Sequence, residues 1–105
     1  MKNNPCLKKK SYHIFFTNLA NSLKIEIILS LIGKEKNVSK ISEELNVEQS
    51  KISHALSSLK CCNIVKSKRD GKNRIYYLNK KTIIPILKLI DEHSRTYCKG
   101  GCCCK

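Results

Sequence analysis

The pattern of this chain predicts a mainly α fold with one β-hairpin, and three observations carry that expectation. Apolar residues recur at helical spacing along most of the chain. Two of the resulting helices are separated by only the short turn Asn46-Val47-Glu48. Two strand-like runs then flank Asp70-Gly71, the strongest short-range hairpin signal a sequence offers. At 105 residues the chain is expected to form one domain with a modest core, open to help from a second subunit.

Each element has its own justification. Residues 1–10 hold four Lys, a Pro and little apolar material, and read as a basic flexible arm. From Ser11 to Ala20, the residues Tyr12, Phe15, Phe16 and Leu19 give a short amphipathic helix. Asn21-Ser22 caps a second helix with Leu23, Ile27, Ile28, Leu31 and Ile32, and Gly33 is its expected stop. Ser39 is the expected cap for a helix over residues 40–45. A fourth helix runs from about Gln49 to Cys61, with Ile52, Ala55, Leu56 and Leu59 inward and Asn63 at its left-handed end. The hairpin pairs Ile64–Arg69 with Lys72–Leu78. The last helix, from about Thr82 to Ser94, carries Ile83, Ile84, Ile86, Leu87, Leu89 and Ile90. That is apolar around more than one face, which predicts packing against a second subunit. The expected organisation is therefore an arm (1–10), a globular unit (11–95) and a tail (96–105).

Charge points to the partner. The chain has 21 Lys and Arg against 8 Asp and Glu, for a net charge of +13. Such a surface repels itself unless a polyanion neutralises it. Between residues 60 and 81 the cations Lys60, Lys66, Lys68, Arg69, Lys72, Arg74, Lys80 and Lys81 face Asp70 alone. More than half of the net charge is thus expected on and around the hairpin. No apolar run approaches the roughly 18 residues a membrane span needs. No signal peptide is read at the start, so a cytoplasmic, membrane-free protein is expected. The seven Cys include the clumps Cys61-Cys62 and Cys102-Cys103-Cys104, which cannot staple distant loops independently, so reduced thiols are expected.

Helix, turn and helix followed by a basic hairpin is the layout of a winged helix-turn-helix domain. An α-helix fits the DNA major groove, and hairpin cations reach phosphates beside it. Gln49, Ser50, Ser53 and His54 occupy the outer face near the start of the second helix and are candidates for contacts to base edges or phosphates. Lys51, Lys68, Arg69, Lys72 and Arg74 are candidates mainly for phosphate contacts, which set affinity and salt dependence. Any one of these residues could simply meet solvent. Their combination with the hairpin and its charge favours double-stranded DNA.

Residues from about Asn21 to Leu78 resemble the ArsR/SmtB metalloregulatory repressors. The likeness rests on Val38-Ser39-Lys40-Ile41-Ser42-Glu43-Glu44-Leu45, Gln49-Ser50-Lys51-Ile52-Ser53-His54-Ala55-Leu56, Ile64-Val65 and Ile75-Tyr76-Tyr77-Leu78. With the flanking helices it covers roughly residues 11–95. The resemblance implies a homodimer through the first and last helices that binds a pseudo-palindromic operator and is released by a metal or thiol ligand. Many members carry Ser-Arg-His-Leu in the recognition helix, where this chain has Ser53-His54-Ala55-Leu56.

Two of the family's metal positions lack their ligands here. Asn37-Val38-Ser39 stands where a Cys-Val-Cys pair would begin the first helix of the DNA-binding pair. Lys80, Thr82, His93 and Thr96 stand where a zinc site in the last helix would lie, and one His cannot hold a tetrahedral ion. Thiols remain. Cys98, Cys102, Cys103 and Cys104 follow the last helix, and Gly100-Gly101 lets the chain fold back so that several sulfurs converge. Sulfur-only sites select soft ions, so As(III) or Sb(III) is the expected effector, with Cd(II) or Pb(II) next, and no organic cofactor is expected. Some relatives use Cys after the last helix, and others a recognition-helix Cys that Cys62 matches. Its usual partner four residues earlier is Ser58 here. Cys62 also fits a small packing residue, Cys61 is expected to be more exposed, and Cys6 is a further candidate across the dimer.

A redox or persulfide sensor of the same fold is the nearest alternative. A Cys-rich metal-storage protein is a more distant one, and would leave the basic hairpin without a use. An enzyme is not expected, because no Cys-His-carboxylate arrangement and no phosphate-cradling glycine loop is present.

Overall fold

The computed structural model describes residues 9–97. They form α1 (Lys9–Leu19), α2 (Ser22–Ser30), α3 (Val38–Leu45), α4 (Gln49–Cys61), β1 (Val65–Asp70), β2 (Asn73–Leu78) and α5 (Lys80–Tyr97). Helical structure starts two residues before the expected 11–95 unit and ends two residues after it.

The core gathers one face from each element. Ile27, Ile28 and Leu31 come from α2 and its end, and Ile41 from α3. Ile52, Ala55, Leu56 and Leu59 come from α4, Ile64, Val65 and Leu78 from the base of the hairpin, and Ile83 from α5. All four inward positions expected of α4 are buried. Each buried aliphatic side chain contributes on the order of 1.5–3 kcal/mol, enough to hold a short helix that would be marginal alone.

Several ends differ from expectation, each for a local reason. Asn21 caps α2 as expected, its Oδ1 accepting the Lys24 N–H at 3.0 Å. The helix gives way at Leu31, before Gly33, where the ladder tightens: the Leu31 N–H is shared between the Ile27 and Ile28 carbonyls, and the Ile32 N–H turns to the Leu29 carbonyl at 3.3 Å. Asn37, not Ser39, caps α3, with Oδ1 accepting the Lys40 N–H at 2.8 Å. Asn caps as well as Ser, and the earlier start lets Val38 pack on the core. Asn46 and Asn63 take the left-handed conformation after α3 and α4, with φ of 58° and 57°.

The hairpin register pairs Val65 with Leu78 and Asp70 with Asn73. Both Val65 and Leu78 are buried, so this register is fixed from the base upward, and the turn falls on Gly71-Lys72 rather than on Asp70-Gly71. Gly71 has φ 66°, the left-handed value that the first central position of a type II′ turn requires. Lys36 pairs with Tyr76 across a single bridge, the Lys36 N–H donating to the Tyr76 carbonyl at 3.0 Å and the Tyr76 N–H to the Lys36 carbonyl at 2.8 Å. This ties the hairpin to the segment before α3. Finally, α5 runs longer than the expected 82–94, and Pro85 lies inside it. Proline removes one helical N–H, yet Ile83 and the partly buried Ile84, Ile86 and Leu87 hold the helix on the core through that point.

Candidate nucleic-acid interface

Burial of the Ile52, Ala55, Leu56 and Leu59 face turns the opposite face of α4 outward. Gln49, Ser50, Lys51, Ser53 and His54 are all exposed there. Their start is set by the left-handed Asn46, which reverses the chain between α3 and α4 and leaves the first turn of α4 projecting. Gln49 Nε2 donates to Ser39 Oγ at 3.3 Å, so the first side chain of the row is partly held by α3.

Beside this helix stands the hairpin. Lys68, Arg69, Lys72 and Arg74 are exposed, as expected. Arg69 lies directly opposite Arg74 in the register. Like charges facing each other across a ladder destabilise it, and a bound polyanion removes that cost. Lys68 is more constrained than the sequence suggests. Its Nζ lies 3.1 Å from Glu35 and 5.6 Å from the centre of the Tyr77 ring.

Three features escaped the sequence. A groove of about 480 Å³ runs between the start of α2 and α4, lined by Asn21, Lys24, Ser50, Lys51 and His54 among others. It places Lys24 of α2 beside the exposed row of α4. Behind α4 lies a polar cluster of Asn18, Lys24 and Ser58 with Cys62 at its edge. Asn18 is 2% exposed, and its Oδ1 accepts from Lys24 Nζ at 2.8 Å and from Ser58 Oγ at 2.9 Å. The only hint was a lysine set among the apolar residues of α2. At the base of the hairpin, Lys36 donates to Glu44 at 2.7 Å and to the Ser30 carbonyl, joining the end of α2 to α3. That hydrogen bond is the main cause holding the Glu44 carboxyl below its ordinary value of 4.5; desolvation opposes it, and the charges of Lys36, Lys40 and Lys34 each add a smaller lowering.

The candidate sensing thiols divide. Cys6, Cys98, Cys102, Cys103 and Cys104 lie outside the described residues. Cys61 is exposed and Cys62 half-buried against the core. Among the described residues no three His, Cys, Asp or Glu side chains converge as a metal-holding group. Asn37 caps α3, and His93 is exposed near the end of α5 with its ring 5.0 Å from that of Tyr97. No helix among the described residues is long and apolar enough to cross a membrane.

Comparison with known proteins agrees with this geometry. Residues 21–67 match the model of the bacterial regulatory protein, arsR family. An HTH-type transcriptional regulator of Methanocaldococcus jannaschii, MJ1325, is 38% identical over 68 residues, covering 63% of this chain and 76% of its own length. A transcriptional repressor SmtB homolog of Synechocystis is 27% identical over 79 residues, covering 75% of this chain and 60% of its own length. The fold is that of a homodimeric winged helix-turn-helix DNA-binding domain, Mb0332 of Mycobacterium bovis. The two superpose with a TM-score of 0.72 at 17% identity, over 89% of each chain. With its basic wing beside an exposed helix and its matching regulators, the chain belongs to the arsR family of transcriptional regulators.

Proposed function

We propose that this DNA-binding regulator is a homodimeric repressor that leaves its operator when a soft metal or metalloid binds its thiols. The observation that carries the DNA half is the juxtaposition of two surfaces. The outward row of α4 offers hydrogen-bonding groups to base edges, while the hairpin beside it offers cations to phosphate.

Dimerisation is supported by what the described residues leave uncovered. Tyr12 and Phe16 on α1 are 70% and 61% exposed, and Leu89 and Ile90 on α5 are 65% and 48% exposed. Apolar side chains this large on the first and last helices favour an interface over solvent, and Ile25, Leu29 and Ile32 of α2 and its end are exposed as well. Two-fold symmetry then presents two α4 helices to successive major grooves. Mb0332, the Mycobacterium bovis domain of the same fold, is homodimeric.

The effector half is supported by the sequence of the end of the chain, where Cys98, Cys102, Cys103 and Cys104 fall within eight residues. Sulfur ligands select As(III), Sb(III), Cd(II) or Pb(II) over harder ions. Release requires that the ligand bind the DNA-free state more tightly by a few kcal/mol. The test is binding to the DNA upstream of the protein's own gene, with and without arsenite, antimonite, Cd(II), Zn(II) and peroxide. It is run on the full chain and on a form ending at Tyr97. Loss of the arsenite or Cd(II) response on truncation supports the proposal. An unchanged response in the truncated form refutes the tail assignment, and release by peroxide alone replaces metal sensing with redox sensing.

A further inference from the structure

Among the described residues Asn18 is the one polar side chain buried in the core, and the part-buried groups around it behind α4 bond to one another. Asn18 comes from α1, Lys24 from α2, and Ser58 and Cys62 from α4 and its end. The Asn18 carboxamide uses both ends. Its Oδ1 accepts from Lys24 Nζ at 2.8 Å and from Ser58 Oγ at 2.9 Å. Its Nδ2 donates to the Ser58 carbonyl at 3.4 Å and contacts Cys62 Sγ at 3.5 Å. Lys24 Nζ closes a triangle by donating to Ser58 Oγ at 3.1 Å. Two donors on Oδ1 fix which way the amide points, because the flipped amide would set its N–H groups against the ammonium.

This arrangement has a direction. On α1, Tyr12 and Phe16 face outward, whereas Phe15, Asn18 and Leu19 face the body of the protein. One helix therefore carries the proposed partner surface on one side and a hydrogen-bonded hold on the recognition helix on the other. The Ser58 carbonyl belongs to the last turn of α4, where helical carbonyls lack onward N–H partners, so Asn18 also serves that helix end from another element. Apolar contacts alone would let α4 slide or rotate slightly against α1. Directional hydrogen bonds to a single turn do not.

We propose that Asn18, acting through Ser58, is a positioning residue for DNA recognition: it fixes α4 relative to the dimerisation helix α1 and so sets the placement of the two recognition helices. The inference rests on the DNA-binding dimer proposed above. It adds a specific route by which a change at the dimer interface reaches the DNA, and it places the Cys62 sulfur on that route. Asn18 is buried and touches no DNA itself, so its removal weakens binding without removing a phosphate contact.

The test uses the full-length protein and a duplex selected by the wild type from a random-sequence pool. Dissociation constants are measured well below each variant's Tm, with the salt slope and the dimer dissociation constant alongside. Asn18→Ala and Ser58→Ala are each expected to weaken binding about tenfold, within the range that substitutions along coupled contacts produce. The salt slope should stay unchanged, because slope counts phosphate contacts. The double variant should be no weaker than the worse single one, since the two act as one unit. Ser58→Thr, which keeps the hydroxyl, should restore binding to near wild type. The proposal is overturned if the folded single variants bind within twofold of the wild type, if their losses add, or if the loss tracks dissociation of the dimer. If the wild type selects no duplex at all, the DNA-binding proposal itself falls, which is a separate outcome.

Discussion

The Lys68 ammonium lies 3.1 Å from the Glu35 carboxylate, so one wing cation is already paired within the protein. Both side chains are about half exposed, and a pair of this kind is worth up to about 1 kcal/mol. Reaching a phosphate means leaving Glu35. Glu35→Gln should therefore tighten DNA binding by about two- to fivefold at low salt, as read by fluorescence anisotropy. Unchanged or weaker binding would show that Lys68 does not exchange partners.

Lys36 and Glu44 set a pH dependence whose sign is fixed. The Glu44 carboxyl is held below 4.5 by the Lys36 hydrogen bond, so its contribution is fully present above its ordinary value and is lost as pH falls through the folded one. Thermal melts in low salt should show the wild type losing stability between about pH 5 and about pH 3 more steeply than Glu44→Gln. The difference should be small, because the Glu44 carboxylate is exposed to solvent. Parallel profiles would remove the pair from any part in acid stability.

Gly71 isolates a backbone effect. A Cβ there meets nothing within 4 Å, yet φ is +66°. Gly71→Val should cost on the order of 1–2 kcal/mol from left-handed strain alone, whereas Gly71→Asn should cost less. Urea melts of the three proteins order them. Equal stabilities would mean that the hairpin turn accepts other conformations.

The outward apolar residues of α1 and α5 make a prediction about assembly. Phe16→Glu combined with Leu89→Glu should shift the sedimentation coefficient to that of a monomer and abolish tight DNA binding, since one winged domain covers only a half-site. A dimer that survives both charges would place the interface elsewhere.

Much of the fold was legible because local signals agreed with the global packing. All four core positions of α4, the left-handed Asn63 and the existence of the hairpin follow from spacing and turn chemistry, and the structure has each of them. Helix ends were less legible. Asn37 and Ser39 are both good caps, and only the packing of Val38 decides between them. The hairpin turn moved by one residue because register is set at its buried base, by Val65 and Leu78, rather than at its tip. The exposed row of α4 was readable from periodicity. The Asn18 cluster was not, because Asn18 and Lys24 lie 34 to 44 residues from Ser58 and Cys62 in the chain and meet them only after folding. Nor does periodicity show that Lys68 has a carboxylate partner.

The most direct test of the account asks whether α4 reads sequence while the wing supplies affinity. Duplexes are selected from a random pool by the wild type, by Gln49→Ala and Ser53→Ala, and by Arg74→Ala. The wild type is expected to enrich a two-fold-symmetric sequence, the α4 variants a changed or relaxed one, and Arg74→Ala the same sequence bound more weakly with the magnitude of the salt slope lower by about one. Identical enriched sequences from the wild type and both α4 variants, or no enrichment by the wild type, would contradict this.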